Sequence, residues 1–592
     1  MSHLDDLSVA PHSSTNPSAG AGRLHTQHLV DRRTFIKAGV AIASTGLLAG
    51  RVPNALAASR KGVRGAAVAP PNILVIIVDQ MRAPCWFSAP GDSPDGLPAN
   101  LERLRHGAVS FARHYTAAND CTPSRAALLT GLHSHQTGCM ITGESTLNPE
   151  FPTWGKMLRD YGYATYWYGK WHLTRGDDAW SANNGPAALE RYGFGGGTYP
   201  SPDGAPGQGA KVDVSIAQQF AQWYGAAAGA GPWCTTVSFV NPHDIAWWYR
   251  MSASDVIDTA FSTSSTPLPP NFETPAQLLA RGKPAVQRSL QDTAAQSFGA
   301  VPFTGPDVQG SWAPFLDLYA SLQNQVDLQI GAVLDTLASQ PQIAANTVVV
   351  FTSDHGEYGA SHGMRGKGAS VYEEALRVPL IVSDPRGVLT AASDVPRQQL
   401  TSSVDVAPLL LTIACGSGDW RAEARYSDLA NRPDLTTILA NPSASGREYA
   451  LHATDEVVTE FATEPYAAAA PLHITGVITP SAKYASYTHW QPGTVTPLAA
   501  GEQTELYDYT TADGQLEIAN VAGSGALDRQ MQALLATAVK EELHAPLAQR
   551  LHGAQRRATA SYVELAATAL RDSRAARLRA QKPVVGGTPT TA

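Results

Sequence analysis

Four short runs of β-branched and aromatic residues each end on ionisable side chains, and this repetition restricts the fold more than any other feature of the chain. Residues 72–78 contain six consecutive apolar side chains, Ile73 to Val78, the pattern of a strand buried on both faces and therefore parallel to its neighbours. Asp79 and Gln80 stand at its carboxyl end. Residues 162–168 lead into Gly169-Lys170-Trp171-His172, residues 235–240 into Asn241-Pro242-His243-Asp244, and residues 347–352 into Ser353-Asp354-His355-Gly356. Helical candidates at 153–160, 215–224 and 316–339 fall between these runs. This βα alternation predicts an α/β domain with a parallel or mixed sheet. In such sheets ligands bind at the carboxyl ends of the strands, where these polar residues collect.

The 592 residues are 43% hydrophobic, which is a globular composition. The formal charge of -8 gives no reason to expect a nucleic-acid partner, and no stretch has the length and apolarity of a membrane anchor. The five cysteines, Cys85, Cys121, Cys139, Cys234 and Cys415, are scattered and odd in number, without zinc spacing or a disulfide framework. Residues 1–57 read as an export signal. Arg32-Arg33-Thr34-Phe35-Ile36-Lys37 resembles the twin-arginine motif, a weakly apolar run follows, and Ala55-Leu56-Ala57 offers small residues for cleavage. The expected location is accordingly periplasmic or secreted.

Cys121-Thr122-Pro123-Ser124-Arg125 has the composition of a helix entrance, with helix formers up to Thr130 and a stop at Gly131. Cys121 would face the positive end of the helix, which favours anions, and Arg125 carries a planar fork suited to oxyanions. Residues 361–368 form a glycine-rich cationic loop that suits close approach to an anion. Glu373-Glu374 reads as a solvated or salt-bridged helix face. Residues 245–313 read as a long insertion, helical between 276 and 296. Trp247, Trp248 and Tyr249 open it, either as an aromatic wall for an organic leaving group or as packing of the insertion onto the core. The catalytic domain is placed at 70–420. Strand-like pieces at 473–478, 484–489 and 505–509, with helices near 527–543 and 558–580, predict a smaller antiparallel subdomain over 421–582, and residues 583–592 read as a disordered tail.

The stretch from Cys121 to Gly131 closely resembles the signature of the sulfatases, C-x-P-S-R followed by T-G. Residues 162–172 match that family's G-Y-x-T-x-x-x-G-K-x-H motif, and residues 241–244, 353–382 and 505–508 match later ones. The resemblance covers roughly residues 70–520. It implies an alkaline-phosphatase-like fold: a central mixed, largely parallel sheet flanked by helices, with a smaller C-terminal antiparallel sheet. It further implies hydrolysis of a small-molecule sulfate ester, aryl or alkyl, after a formylglycine-generating enzyme has oxidised Cys121 to formylglycine (3-oxoalanine). One hydroxyl of the aldehyde hydrate attacks sulfur, and the other allows the adduct to collapse.

By the same resemblance Asp79, Gln80, Asp354, His355 and the modified Cys121 would hold a divalent metal. Gln80 is the weaker ligand and could instead contact substrate. Arg125, Lys170 and Lys367 would hold the developing charge on the sulfuryl oxygens. His172 would orient or deprotonate the hydrate, and His243 would protonate the leaving oxygen with the aid of Lys367. Two departures stand out. Many sulfatases carry two adjacent aspartates where this chain has Asp79-Gln80, and many carry Asn where it has His355. In both respects the chain looks more like choline sulfatases and phosphonate monoester hydrolases. Phosphonate monoester or phosphodiester hydrolysis is thus the alternative reaction. Ca²⁺ is the expected metal, with Mn²⁺ or another transition metal as the alternative that an imidazole ligand favours. A catalytically silent binding protein is a third reading, against which the intact set of ionisable residues argues.

Overall fold

The computed structural model describes residues 70–83, 97–176, 185–248, 266–457, 466–467, 469–523 and 525–580. The expected export signal, Cys85, Tyr249 and the expected tail lie outside these residues. The strands in chain order are β1 (Asn72–Asp79), β2 (Val109–Tyr115), β3 (Ala164–Gly169), β4 (Gly195–Gly196), β5 (Trp233–Pro242) and β6 (Thr347–Ser353), then β7 (Leu380–Ser383), β8 (Arg397–Ser402), β9 (Ala450–Thr454), β10 (His473–Ile478), β11 (Ala482–Trp490) and β12 (Pro497–Asp508). The first eight form one sheet in the order β4-β3-β5-β1-β6-β7-β2-β8, and the last four form a second sheet in the order β12-β11-β10-β9.

β1 is central and runs parallel to both β5 and β6, with Leu74 opposite Thr235 on one side and Val349 on the other. Its two faces enter different cores. Ile73, Val75 and Ile77 pack with residues of the helices Cys121–Thr130 and Val406–Cys415, whereas Leu74, Ile76 and Val78 pack with the helices Gln208–Ala227 and Val308–Ala338. That is why the run is continuously apolar rather than alternating. Each of these side chains contributes about 1.5–3 kcal/mol by full burial. β3, β5, β1 and β6 are consecutive neighbours and all parallel, so Asp79, the last residue of β1, and Lys170, His243 and Asp354, which follow β3, β5 and β6, emerge at the same sheet edge.

The predicted mixed, largely parallel sheet and the second, antiparallel sheet are both present. β7 is antiparallel to β6 and to β2, which makes the large sheet mixed. β7 begins only at Leu380, because Arg377 ends the short helix Glu373–Leu376. The insertion is helical at Pro275–Ala280 and Ala285–Phe298, and the long helix after it already starts at Val308. The second sheet docks beside the Cys121 helix: Ala453 of β9 donates its N–H to the Ala117 carbonyl at 3.0 Å, and Thr454 Oγ1 donates to Asp120 Oδ2 at 3.2 Å.

The C-terminal segment is tied down by charge. Glu542 pairs with Arg432 and lies 2.9 Å from Arg447, which also pairs with Asp405 at 2.7 Å. Burial opposes ionisation of Glu542, but His133 and the two arginines overcome it and hold its carboxyl far below the ordinary carboxylate range. A depressed folded-state value means that this stabilisation is present above about pH 4.3, the ordinary value, and is lost as pH falls below it. Glu542→Gln should therefore lower Tm at pH 7, by the equivalent of about 1–3 kcal/mol. Its deficit against the parent should shrink as thermal melts are taken from pH 7 down to pH 3.

Candidate active site

Each residue of the Cys121–Thr130 helix that the sequence singles out has a local task. Cys121 is the first helical residue and is fully buried. Ser124 Oγ donates to the Asp354 carbonyl at 2.5 Å and also meets Thr116 Oγ1 at 2.8 Å, locking the helix entrance to the end of β6. Thr130 Oγ1 donates to the Ala126 carbonyl and accepts from the Leu132 N–H, closing the last turn. Gly131 ends the helix at φ 72°, where a Cβ would lie 3.0 Å from Leu429 and 3.2 Å from the Val404 carbonyl, so both conformation and space call for glycine.

The Cys121 thiol stands in a ring of charged groups. Its Sγ is 3.1 Å from His355 Nε2, 3.3 Å from Lys367 Nζ, and 3.8 Å from both Lys170 Nζ and Asp79 Oδ1. Asp79 Oδ2 lies 2.7 Å from Lys170 Nζ and 2.9 Å from Arg125 Nη2. Burial alone would raise the Asp79 pKa, but Lys170, His243, Arg125 and His355 together hold its carboxyl well below the usual range. Burial pushes the His355 imidazole down to about 4, with Lys367 acting in the same direction, so it is neutral near pH 7. Its Nδ1 lies 3.0 Å from the Gly356 carbonyl and so carries the proton, which leaves the Nε2 lone pair facing Cys121.

Asp79, Cys121, Asp354 and His355 offer donor atoms that all lie within 4.8 Å of one another, and all four residues are buried. Two carboxylates, a neutral imidazole and the atom at Cys121 form a set that suits a divalent cation. The environment fits as well. Asp354 Oδ2 lies 2.9 Å from Arg125 Nε, while Oδ1 accepts the N–H groups of Gln80 and His355 at 3.1 and 2.9 Å. These contacts fix the carboxylate without using all of its acceptor capacity.

Arg125, expected to hold the sulfuryl oxygens, is placed with its guanidinium against the two carboxylates. Its guanidinium serves Asp79 and Asp354 and also donates to the Lys170 carbonyl and Ser238 Oγ, both at 3.0 Å. The fork is spent on carboxylates and strand ends, so Arg125 positions the donor set. Gln80, at φ 69°, sits beside that set: its amide oxygen accepts from Lys367 at 2.9 Å and its amide nitrogen donates to Glu357 at 2.5 Å. Of the cationic loop, Lys367 reaches the site. Arg365 turns to the Trp248 and Gly299 carbonyls, and His362 to Glu273 at 2.6 Å.

His243 follows β5 and flanks Lys170. A Cβ on Gly204 would lie 2.5 Å from His243 Cε1 and 3.1 Å from Lys170 Nζ, so the bare backbone of Gly204 lets its loop close over both groups. Trp247 Nε1 pins that loop by donating to the Gly204 carbonyl at 2.9 Å, and its ring meets Phe298 edge-on. Trp248 is buried against Phe315 and belongs to the packing of the insertion. His172 is partly exposed, and its carbonyl accepts from Thr122, the residue after Cys121.

Sequence reasoning missed Glu357, Ser238 and Asp213. Glu357 accepts the N–H groups of Gly359 and Gly366 at 3.0 and 2.8 Å and so shapes the loop that delivers Lys367. Asp213 accepts those of Val240 and Asn241 at 2.8 and 2.9 Å, fixing the end of β5 before His243. Glu357 carried one available signal, an acidic residue three positions after Asp354. Asp213 lies inside a helix and carried none.

The family model described as Sulfatase matches residues 71–417, more than half of the chain. The chain belongs to the sulfatase family. Its chemistry is that of a sulfuric ester hydrolase. Among similar curated proteins, an uncharacterized sulfatase, YidJ, of Escherichia coli is 26% identical over 58% of this chain and 68% of its own. The steryl-sulfatase of Rattus norvegicus is 27% identical over 67% and 75%, and the choline-sulfatase of Rhizobium meliloti 26% over 58% and 67%. Among solved structures, a 2-O GAG sulfatase superposes with TM-score 0.59 at 22% identity, over 80% of this chain and 93% of its own. The phosphonate monoester hydrolase of Silicibacter pomeroyi does so with 0.59 at 21%, over 81% and 97%. These superpositions establish a shared fold.

Proposed function

We propose that this sulfatase is exported by the twin-arginine route and hydrolyses an organic sulfate monoester, aryl or alkyl, with formylglycine made from Cys121 as nucleophile. The observation that carries the reading is the convergence on one buried atom: Cys121 Sγ sits beside His355 and Lys367 and within 4.8 Å of the Asp79 and Asp354 donors. A formylglycine hydrate at this position supplies a hydroxyl nucleophile together with a second hydroxyl through which the ester is released. A divalent cation, Ca²⁺ in the first instance, would be held by Asp79, Asp354, His355 and residue 121, and would supply Lewis-acid polarisation of the ester and acidify the nucleophile.

The chain's own residues do the rest. Lys170 and Lys367 flank the attacking atom and hold negative charge as it develops on the three non-bridging oxygens. Arg125 keeps both carboxylates in place and holds Lys170 through its carbonyl. His243 donates a proton to the leaving oxygen, and His172 orients or deprotonates the hydrate. Burial of these charged groups keeps bulk water from competing for the sulfuryl group.

The test is a comparison of kcat/KM for an aryl sulfate and an aryl phosphonate monoester on the metal-loaded, modified enzyme. A sulfate preference of at least about tenfold, or roughly 1.4 kcal/mol in transition-state binding, is expected. A large preference for the phosphonate would replace this reading with the phosphonate monoester hydrolase one, and turnover of neither ester would favour a binding protein.

A further inference from the structure

A second group of metal-type side chains lies outside the site described above. His135, just after the Cys121 helix, converges with Asp455 at the end of β9 and His473 at the start of β10. His135 Nε2 is 2.6 Å from Asp455 Oδ2, and His473 Nδ1 is 2.7 Å from Asp455 Oδ1. The three side chains are 6%, 0% and 5% exposed, and their donor atoms lie within 4.8 Å of one another.

We propose that His135, Asp455 and His473 form a transition-metal site of zinc type that staples the second sheet to the short helix Ser134–Thr137, which follows the Cys121 helix. Two imidazoles and one carboxylate match zinc and its neighbours rather than Ca²⁺ or Mg²⁺, which take oxygen ligands. A water would complete four-coordination.

The surroundings support the assignment. In the metal-free arrangement each imidazole can donate its N–H to one Asp455 oxygen. Metal binding needs the lone pair at that nitrogen, so each N–H must move to the other ring nitrogen, with no net change in protons. For His135 that other nitrogen, Nδ1, already lies 3.3 Å from His544 Nε2, which can accept the proton. The His473 ring is stacked on Trp490 at 3.8 Å between ring centres, and Trp490 Nε1 donates to Tyr562 Oη at 2.8 Å, so its orientation is fixed.

The site also has a route to the catalytic helix. Glu456, next to Asp455, accepts the Thr142 N–H at 2.6 Å, and the adjacent Gly143 N–H donates to Thr122 Oγ1 at 3.1 Å. A staple at Asp455 therefore steadies the segment that packs beside Cys121.

The experiment uses the full chain carrying Cys121→Ala and Asp354→Asn, which removes two donors of the catalytic centre. The chain is stripped with chelator, equilibrated with Zn²⁺ and dialysed. Zinc per chain is then measured by elemental mass spectrometry, and Tm by calorimetry with and without zinc. About one equivalent is expected to remain and to raise Tm by a few degrees. Adding His135→Gln or His473→Gln should abolish both the retained zinc and the rise in Tm. Should either variant fail to fold, Co²⁺ added to the histidine-intact chain gives the second reading, and visible bands of low-coordinate Co²⁺ are expected. Retention of no zinc, retention unaffected by the histidine changes, or absence of those bands would overturn the proposal. None of these readouts depends on sulfatase turnover, so the staple and the catalytic reading can fail separately.

Discussion

Cys121→Ala is expected to abolish turnover, by on the order of 10⁴-fold or more in kcat, while the protein still folds. The side chain is small and fully buried, so its truncation costs about 1 kcal/mol of packing and moves Tm only slightly. The charged ring around it persists, since Asp79, Lys170, Arg125 and Asp354 hold one another without the thiol. Cys121→Ser separates nucleophilicity from turnover. A serine hydroxyl in this place can attack once, but its ester lacks the second hydroxyl that collapses a formylglycine adduct. Stopped-flow release of an aryl product should then show at most one slow equivalent. Sustained turnover by either variant would remove Cys121 from the centre of the mechanism.

Arg125→Met should be the most destabilising single change at the site. It leaves Asp79 and Asp354 buried side by side without the cation that lies 2.9 Å from each. Removing one partner of a buried charged group typically costs about 3–5 kcal/mol. Saturating divalent metal should restore part of that loss, because it compensates the same carboxylates. Arg125→Lys keeps the charge but cannot reach both carboxylates, the Lys170 carbonyl and Ser238 together, so it should recover stability only in part. Denaturant melts of the parent and both variants, with chelator and with metal, check this. An Arg125→Met chain as stable in chelator as the parent would show that the guanidinium is not what holds the carboxylates.

Much of the site was legible because its parts follow strands whose chemistry is plain. The runs before Asp79, Lys170, His243 and Asp354 are apolar or aromatic enough to be read as strands, and their shared direction places those residues at one edge. What the sequence could not show was which charges pair. Arg125 reads as an oxyanion clamp from its planar fork, and the sequence holds no sign of the 2.9 Å contacts that its guanidinium makes with Asp79 and Asp354. β2 and β8 were missed because Val109-Ser110-Phe111-Ala112-Arg113-His114-Tyr115 and Arg397-Gln398-Gln399-Leu400-Thr401-Ser402 are too polar to signal strands. Their pairing with each other supplies what their composition does not. The His135, Asp455 and His473 cluster was invisible for a related reason: His135 lies 320 residues before Asp455 and Asp455 lies 18 before His473, neither of them one of the short spacings that mark a metal motif.

The claim that most needs testing is that residue 121 works as an aldehyde. The direct measurement is mass spectrometry of the intact peptide spanning Cys121, from protein made in its native host. The account predicts a mass with CHO in place of CH₂SH at that residue, or its hydrate. A plain thiol throughout, in protein that hydrolyses sulfate esters, would contradict it and require a nucleophile built on the metal site alone.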